Sequence, residues 1–143
     1  MTRQEKYPET STFHYYNANP KNKITTDCVI RALCVGMTKT YEEVYRGLME
    51  TSLRTGYHLD DVKCFEKYLQ ENGWIKNKQP RKVDNTKYTG KEFCQKLNET
   101  AKRYANYIAN IGGHHIVAIV DGKVNDIWDS TDGCIGNYWT KAK

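Results

Sequence analysis

Proline is scarce in this chain, at three residues in 143, and phenylalanine and methionine are no commoner at three each. With only ten glycines alongside, that scarcity excludes collagen-like, polyproline and low-complexity linker sequences. No apolar run approaches the ~20 residues that a membrane-spanning helix needs. The N-terminal stretch MTRQEKYPETSTFHYY also lacks the apolar core of a secretory leader. We therefore expect a cytoplasmic protein with no membrane partner. There is no Cys-x-x-Cys pair either. The five cysteines, at 28, 34, 64, 94 and 134, are odd in number, and no histidine stands at a ligand-like spacing from a pair of them. That pattern argues against a disulfide framework and against a structural zinc site, so no metal and no cofactor are expected.

What is present is a chain of 143 residues and 16.6 kDa, with 38% hydrophobic residues and a mean hydropathy of -0.81. A chain of this length is best used in one core, since two would each be marginal. The net charge of +5 is concentrated: residues 76–91 (KNKQPRKVDNTKYTGK) hold six cations and one anion. This stretch lacks apolar periodicity and carries Pro and Asn, so it reads as an exposed basic connection. It divides a helical half, about 26–75, from a β half, about 104–143. Clustered Lys and Arg displace counterions from phosphates, which makes nucleic acid a conceivable partner through residues 76–91. No nucleic-acid motif accompanies the charge, and a solvated loop is the plainer reading.

Apolar spacing predicts a helix over 28–35 that stops at Gly36, and Thr40-Tyr-Glu-Glu43 is a capping-box pattern that opens a second helix. A third is predicted from Asp60 to Glu71, and Thr89-Gly-Lys-Glu92 opens a short fourth. From Tyr104 the period changes. Residues 104–111 read as a strand, 115–120 (HIVAIV) as a β-branched strand too apolar for an edge, and 123–128 (KVNDIW) as its partner across the turn signal Asp121-Gly122. Gly133, Gly136 and Trp139 mark a closing turn and strand. The fold class is α+β, with N-terminal helices packed on a C-terminal antiparallel sheet.

Cys28 opens the first helix behind two possible N-caps, Thr26 and Asp27. A thiol there sits at the positive end of the helix dipole among free backbone N–H groups, which lowers its pKa and supplies donors for an oxyanion. The other four cysteines lack that placement and read as packing. Of the four histidines, His114 and His115 open the most apolar strand, where a polar side chain is costly without partners. The returning strand offers Asp126 and Asp129. A two-residue turn at Asp121-Gly122 would put Asp126 on the face of His115, whereas a three-residue turn would set His115 opposite Asp129.

A Cys at a helix N-terminus, a His opening a central strand and an Asp on the next strand are, in that order, the nucleophile, base and orienting group of thiol catalysis. With these residues the chain resembles the papain-like cysteine peptidase superfamily, closest to its small phage and bacterial members. The resemblance rests on TTDCVIRALCVGMTKTYEEVY and HHIVAIVDGKVNDIWDS. It implies a hydrolase of an amide or peptide bond in a protein substrate, conceivably a host factor. The implied catalytic residues are Cys28, His115 rather than His114, and Asp129, with Asp126 as the alternative to Asp129. It further implies an oxyanion donor six residues before the cysteine, where this chain has Asn22. The Cys-Gly-x-Cys-Trp context of papains is absent, which leaves a second reading, a catalytically inactive binding module such as a phage-encoded inhibitor of a host protein. The third reading is a basic nucleic-acid-binding protein. Nothing in the sequence fixes the oligomeric state.

Overall fold

The computed structural model describes residues 1–143. Five α-helices and six strands occur in the order α1 (Arg3–Lys6), β1 (Phe13–Tyr15), α2 (Cys28–Met37), α3 (Tyr41–Thr55), α4 (Val62–Glu71), β2 (Trp74–Asn77), α5 (Gly90–Asn98), β3 (Tyr107–Ile111), β4 (His115–Val120), β5 (Lys123–Asp126) and β6 (Ile135–Lys141). A 3-10 turn, Ala101–Tyr104, lies between α5 and β3, so that strand begins three residues later than its composition predicts. The architecture is α+β. No helix is long and apolar enough to cross a membrane.

The strands form one sheet in the order β1-β5-β4-β3-β6-β2. The expectation of a purely antiparallel C-terminal sheet is corrected by its edges. β1 pairs in parallel with β5, and β2, drawn from residues 74–77, pairs antiparallel with β6. The expected basic connection is correspondingly shorter, because its first two residues belong to β2 and its last two to α5. Both edge segments are short and lack strong alternation, which is why they did not stand out beside the 115–120 run.

Both capping boxes form. Thr40 and Glu43 exchange side-chain and backbone bonds at the start of α3, and Thr89 and Glu92 do the same for α5. Helix α2 runs through Gly36, where a stop was expected, and ends at Thr38, whose φ is 56°. Gly36 is there for close packing: a Cβ on it would stand 2.6 Å from Ile108 Cγ1. The sheet is covered on both faces. On one, α2, α3 and α4 pack Val29, Leu33, Leu48, Phe65 and Leu69 against Ile108, Ile116 and Trp139. On the other, Phe93 and Leu97 of α5 meet Ala109, Val117, Ile119 and Ile135. A fully buried Leu33 or Ile108 contributes roughly 1.5–3 kcal/mol through burial alone. Central strand β4 is thus held from both sides, with α2 laid along it.

Candidate functional site

The hairpin turn sets the site. Asp121 and Gly122 have φ of 53° and 71°, the double left-handed geometry of a two-residue type I′ turn. Val120 therefore pairs with Lys123, and the ladder continues to Ala118 opposite Asn125. No β5 residue pairs with His115, Ile116 or Val117. At that end of β4, beyond the last β4–β5 pair, the N-terminus of α2 brings Cys28 to His115.

His115 Nε2 lies 2.5 Å from Asp126 Oδ2. With that nitrogen engaged, Nδ1 is left to face Cys28. Cys28 and His115 are close enough that each displaces the other's titration, in opposite directions. Burial pushes the Cys28 thiol up, but the interaction with His115, the Ile116 N–H and the positive charges of His115 and Arg31 together bring it below its ordinary 9.0. Burial disfavours the charged His115 ring, yet its bonds to Asp126 and Cys28 and their negative charge raise it to about 9. Both displacements favour thiolate and imidazolium over the neutral pair. By contrast, burial drives Cys34 up to about 11 and Cys94 up to about 12, and raises Cys64.

The first turn of α2 is open. Asp27 is the N-cap residue but its side chain makes no capping bond. Neither the backbone bonds nor the side-chain bonds occupy the N–H groups of Cys28, Val29 or Ile30. The Asp27 carboxylate is held elsewhere: it accepts from Arg31 Nε at 2.7 Å, Asn19 Nδ2 at 3.0 Å and Tyr41 Oη at 2.9 Å. Burial would raise this carboxyl, but those three donors hold it below the usual carboxylate range. Arg31, itself 6% exposed, also donates from Nη1 to Asp126 Oδ1 at 2.6 Å, and the Ile127 N–H donates to the same oxygen. Each Asp126 oxygen is therefore committed, one to the guanidinium and one to the imidazole. A continuous chain of contacts runs Tyr41, Asp27, Arg31, Asp126, His115, Cys28, with Asp27, Arg31 and Asp126 buried and the other three half-buried.

Of the two carboxylates expected beside the imidazole, it is Asp126 that meets it. Asp129 lies three residues further on and is turned to its own loop, accepting from the Thr131 N–H at 2.9 Å and the Thr131 hydroxyl at 2.6 Å. The reason is the two-residue turn, which ends the strand with Asp126 on the His115 side. Asn22 is exposed, with φ of 54°, and its side-chain oxygen accepts from Asn17 Nδ2 at 3.3 Å. It makes no hydrogen bond to Cys28, His115 or Asp126. His114 is exposed. His14 and His58 bond Glu9 and Asp60 away from this centre. No three His, Cys, Asp or Glu side chains converge as a metal-holding cluster.

Two contributors were missed by sequence reasoning. Arg31 is one, and its signal was present: a lone cation in the apolar run CVIRALCV, four residues after Asp27, has to find buried acids. Trp128 is the other. Its ring centroid lies 5.0 Å from that of His115, and it remains 37% exposed rather than joining the core. Its indole lies against the imidazole at a tilt of 38°.

The basic connection is partly neutralised. Lys76 Nζ pairs with Glu66 at 2.7 Å, and Lys82 pairs with Glu92. Lys76 lies in β2, at the edge of the sheet beyond β6.

The pH dependence of the pair is open to measurement. Iodoacetamide should alkylate Cys28 with a midpoint below pH 9, while Cys34, Cys64 and Cys94 stay unreactive until the chain unfolds. His115, raised above its ordinary 6.5, stabilises the fold fully below about pH 6.5 and ceases to do so as pH rises through about 9. Mass spectrometry of alkylated peptides against pH checks the first statement, and thermal unfolding from pH 6 to 10 the second. Comparison of the chain with protein-family models, with curated proteins and with solved structures found no match.

Proposed function

We infer that this protein is a thiol hydrolase of papain-like type, cleaving an amide or peptide bond in a protein substrate with Cys28, His115 and Asp126. The observation that carries this reading is the imidazole placed between a depressed thiol at a helix N-terminus and a buried carboxylate. In the reaction, Cys28 Sγ as thiolate forms a bond to the carbonyl carbon, and the carbonyl electron pair moves onto oxygen. The unoccupied N–H groups of the first turn of α2 are the donors available to that oxyanion. On collapse the C–N bond breaks, and His115 gives its proton to the departing amine. Water then adds to the thioester, giving one proton to the imidazole, and the acid product leaves as Sγ is released. Asp126 keeps the ring oriented and its cationic form favoured throughout.

The test is Cys28→Ala and His115→Ala in the full chain, each assayed with a peptide-aldehyde or vinyl-sulfone probe and with a library of fluorogenic amides. Cys28→Ala should remove the fast, selective labelling and leave only slow background at the exposed Cys134, and His115→Ala should slow labelling of Cys28 about 100-fold or more. Wild type that labels all five cysteines equally would defeat the reading. Retention of the protein's biological effect in Cys28→Ala would favour the inactive binding module instead.

A further inference from the structure

At the end of the sheet opposite His115 there is an open groove of about 1050 Å³. Tyr107, on its floor, pairs with Ile119, four residues along β4 from His115, or ~13 Å at about 3.3 Å per residue. The groove is thus separate from the Cys28 centre. Arg81, Lys96, Lys102, Lys141 and Lys143 line it, and no Asp or Glu side chain does. They come from four separate parts of the chain: the connection after β2, helix α5, the 3-10 turn, and the C-terminal end around β6. None of the five is in an ion pair, whereas Arg31, Arg54, Lys76, Lys82 and Lys123 all have carboxylate partners. Folding thus gathers into one concavity five cations that have no carboxylate partner.

The walls between these cations are aromatic. Tyr88, Phe93, Tyr107 and Tyr138 form a connected set of rings, with Phe93 5.3 Å from Tyr138 and 5.9 Å from Tyr107, centroid to centroid. Phe93 and Tyr107, each 7% exposed, belong to the core beneath the groove, so the rings open to a ligand are the half-buried Tyr88 and Tyr138 and, at the rim, Tyr104, which is 75% exposed. An acidic peptide would be served by the cations alone. Ring faces interleaved with unpaired Lys and Arg are the arrangement that single-stranded nucleic acid uses, phosphates on the cations and bases on the rings. We propose that this groove binds single-stranded nucleic acid, independently of the thiol chemistry.

Fluorescence anisotropy with a labelled 12-residue oligothymidylate tests this on the full chain. At 50 mM salt the oligonucleotide should bind, with log affinity falling linearly with log salt. Tyr104→Ala should weaken binding about tenfold by removing one stacking surface. The double variant Lys102→Gln, Lys141→Gln should weaken it further and reduce the salt slope by roughly 0.7 per lost cation. These three side chains are exposed, so the variants should fold. Cys28→Ala should bind as wild type does. Absence of salt-sensitive binding, or binding unchanged in both groove variants, overturns the proposal. So does a polyglutamate peptide that competes as well as unlabelled oligonucleotide, which would make the groove an acidic-peptide site.

Discussion

Replacement of Arg31 by Ala should lower the melting temperature by roughly 10 °C or more and abolish selective labelling of Cys28. The guanidinium stands at 2.7 Å from Asp27 and 2.6 Å from Asp126, with all three side chains nearly excluded from solvent. Its removal takes the cationic link from two buried carboxylates in a helix–sheet interface, leaving Asp27 with Asn19 and Tyr41 and Asp126 with His115 and the Ile127 N–H. Breaking such a buried pair costs about 3–5 kcal/mol, a large part of the 5–15 kcal/mol that holds a typical domain. The loss also carries a pH signature. In the wild type Asp27 sits below its ordinary pKa, so it contributes stability above the unfolded value, and that contribution fades as pH falls through its depressed folded value. In Arg31→Ala the Asp27 carboxylate keeps only Asn19 and Tyr41 as donors against its burial and is held down less, so the variant's deficit should narrow as pH falls. Arg31→Lys keeps the charge but not the two-sided fork, and should fall between. Thermal unfolding as a function of pH decides it: a shift within about 2 °C at pH 7 would show that the network contributes little.

How far the sequence disclosed this network depends on the range of the forces involved. Local signals were legible. The two capping boxes, the period of α3 and α4, and the β-branched run 115–120 are each determined by neighbours within a few residues, and each appears where its pattern lies. Cys28 and His115 were legible for the same reason, since a helix start and a strand start are local features. Which carboxylate met the imidazole was not, because it depended on whether the hairpin used two residues or three, and a single residue of register exchanges the faces. Edge strands β1 and β2 were missed because three or four residues carry too little periodicity, and their pairing is decided by distant partners. Gly36 misled for a tertiary reason: at sequence level a glycine after an apolar helix reads as a stop, but here Ile108 occupies the space of its Cβ. The same distinction separates the two readings of the charge. A stretch of six cations is visible in the sequence, but which of them keep no partner depends on Glu66 and Glu92, brought alongside by the fold.

Asp126→Asn should slow alkylation of Cys28 at pH 7 by about 10- to 100-fold, while Asp129→Asn should leave it unchanged. The reasoning begins with the imidazole, which is raised to about 9 against the pull of burial by its bond to Asp126 and by its interaction with Cys28. An asparagine is nearly isosteric but has one acceptor oxygen for the donors that Asp126 serves: with that oxygen kept on Nε2–H its amide nitrogen faces the Arg31 guanidinium and the Ile127 N–H, so the negative charge is lost together with part of the bonding. An adjacent opposite charge is worth one to three pKa units, so His115 should drop toward its ordinary 6.5. With less imidazolium at neutral pH, part of what holds the thiol below 9.0 is gone, and the thiolate fraction falls with it. Arg31 keeps Asp27 as its partner in this variant, so the fold should survive better than in Arg31→Ala. Asp129, committed to the Thr131 N–H and hydroxyl, has no path to the ring. Its variant should lose only the order of residues 129–133. Measuring the alkylation midpoint against pH for both variants separates the two acids: an upward shift in Asp126→Asn alone assigns the orienting carboxylate, and an equal shift in Asp129→Asn would return that role to the residue further along the loop.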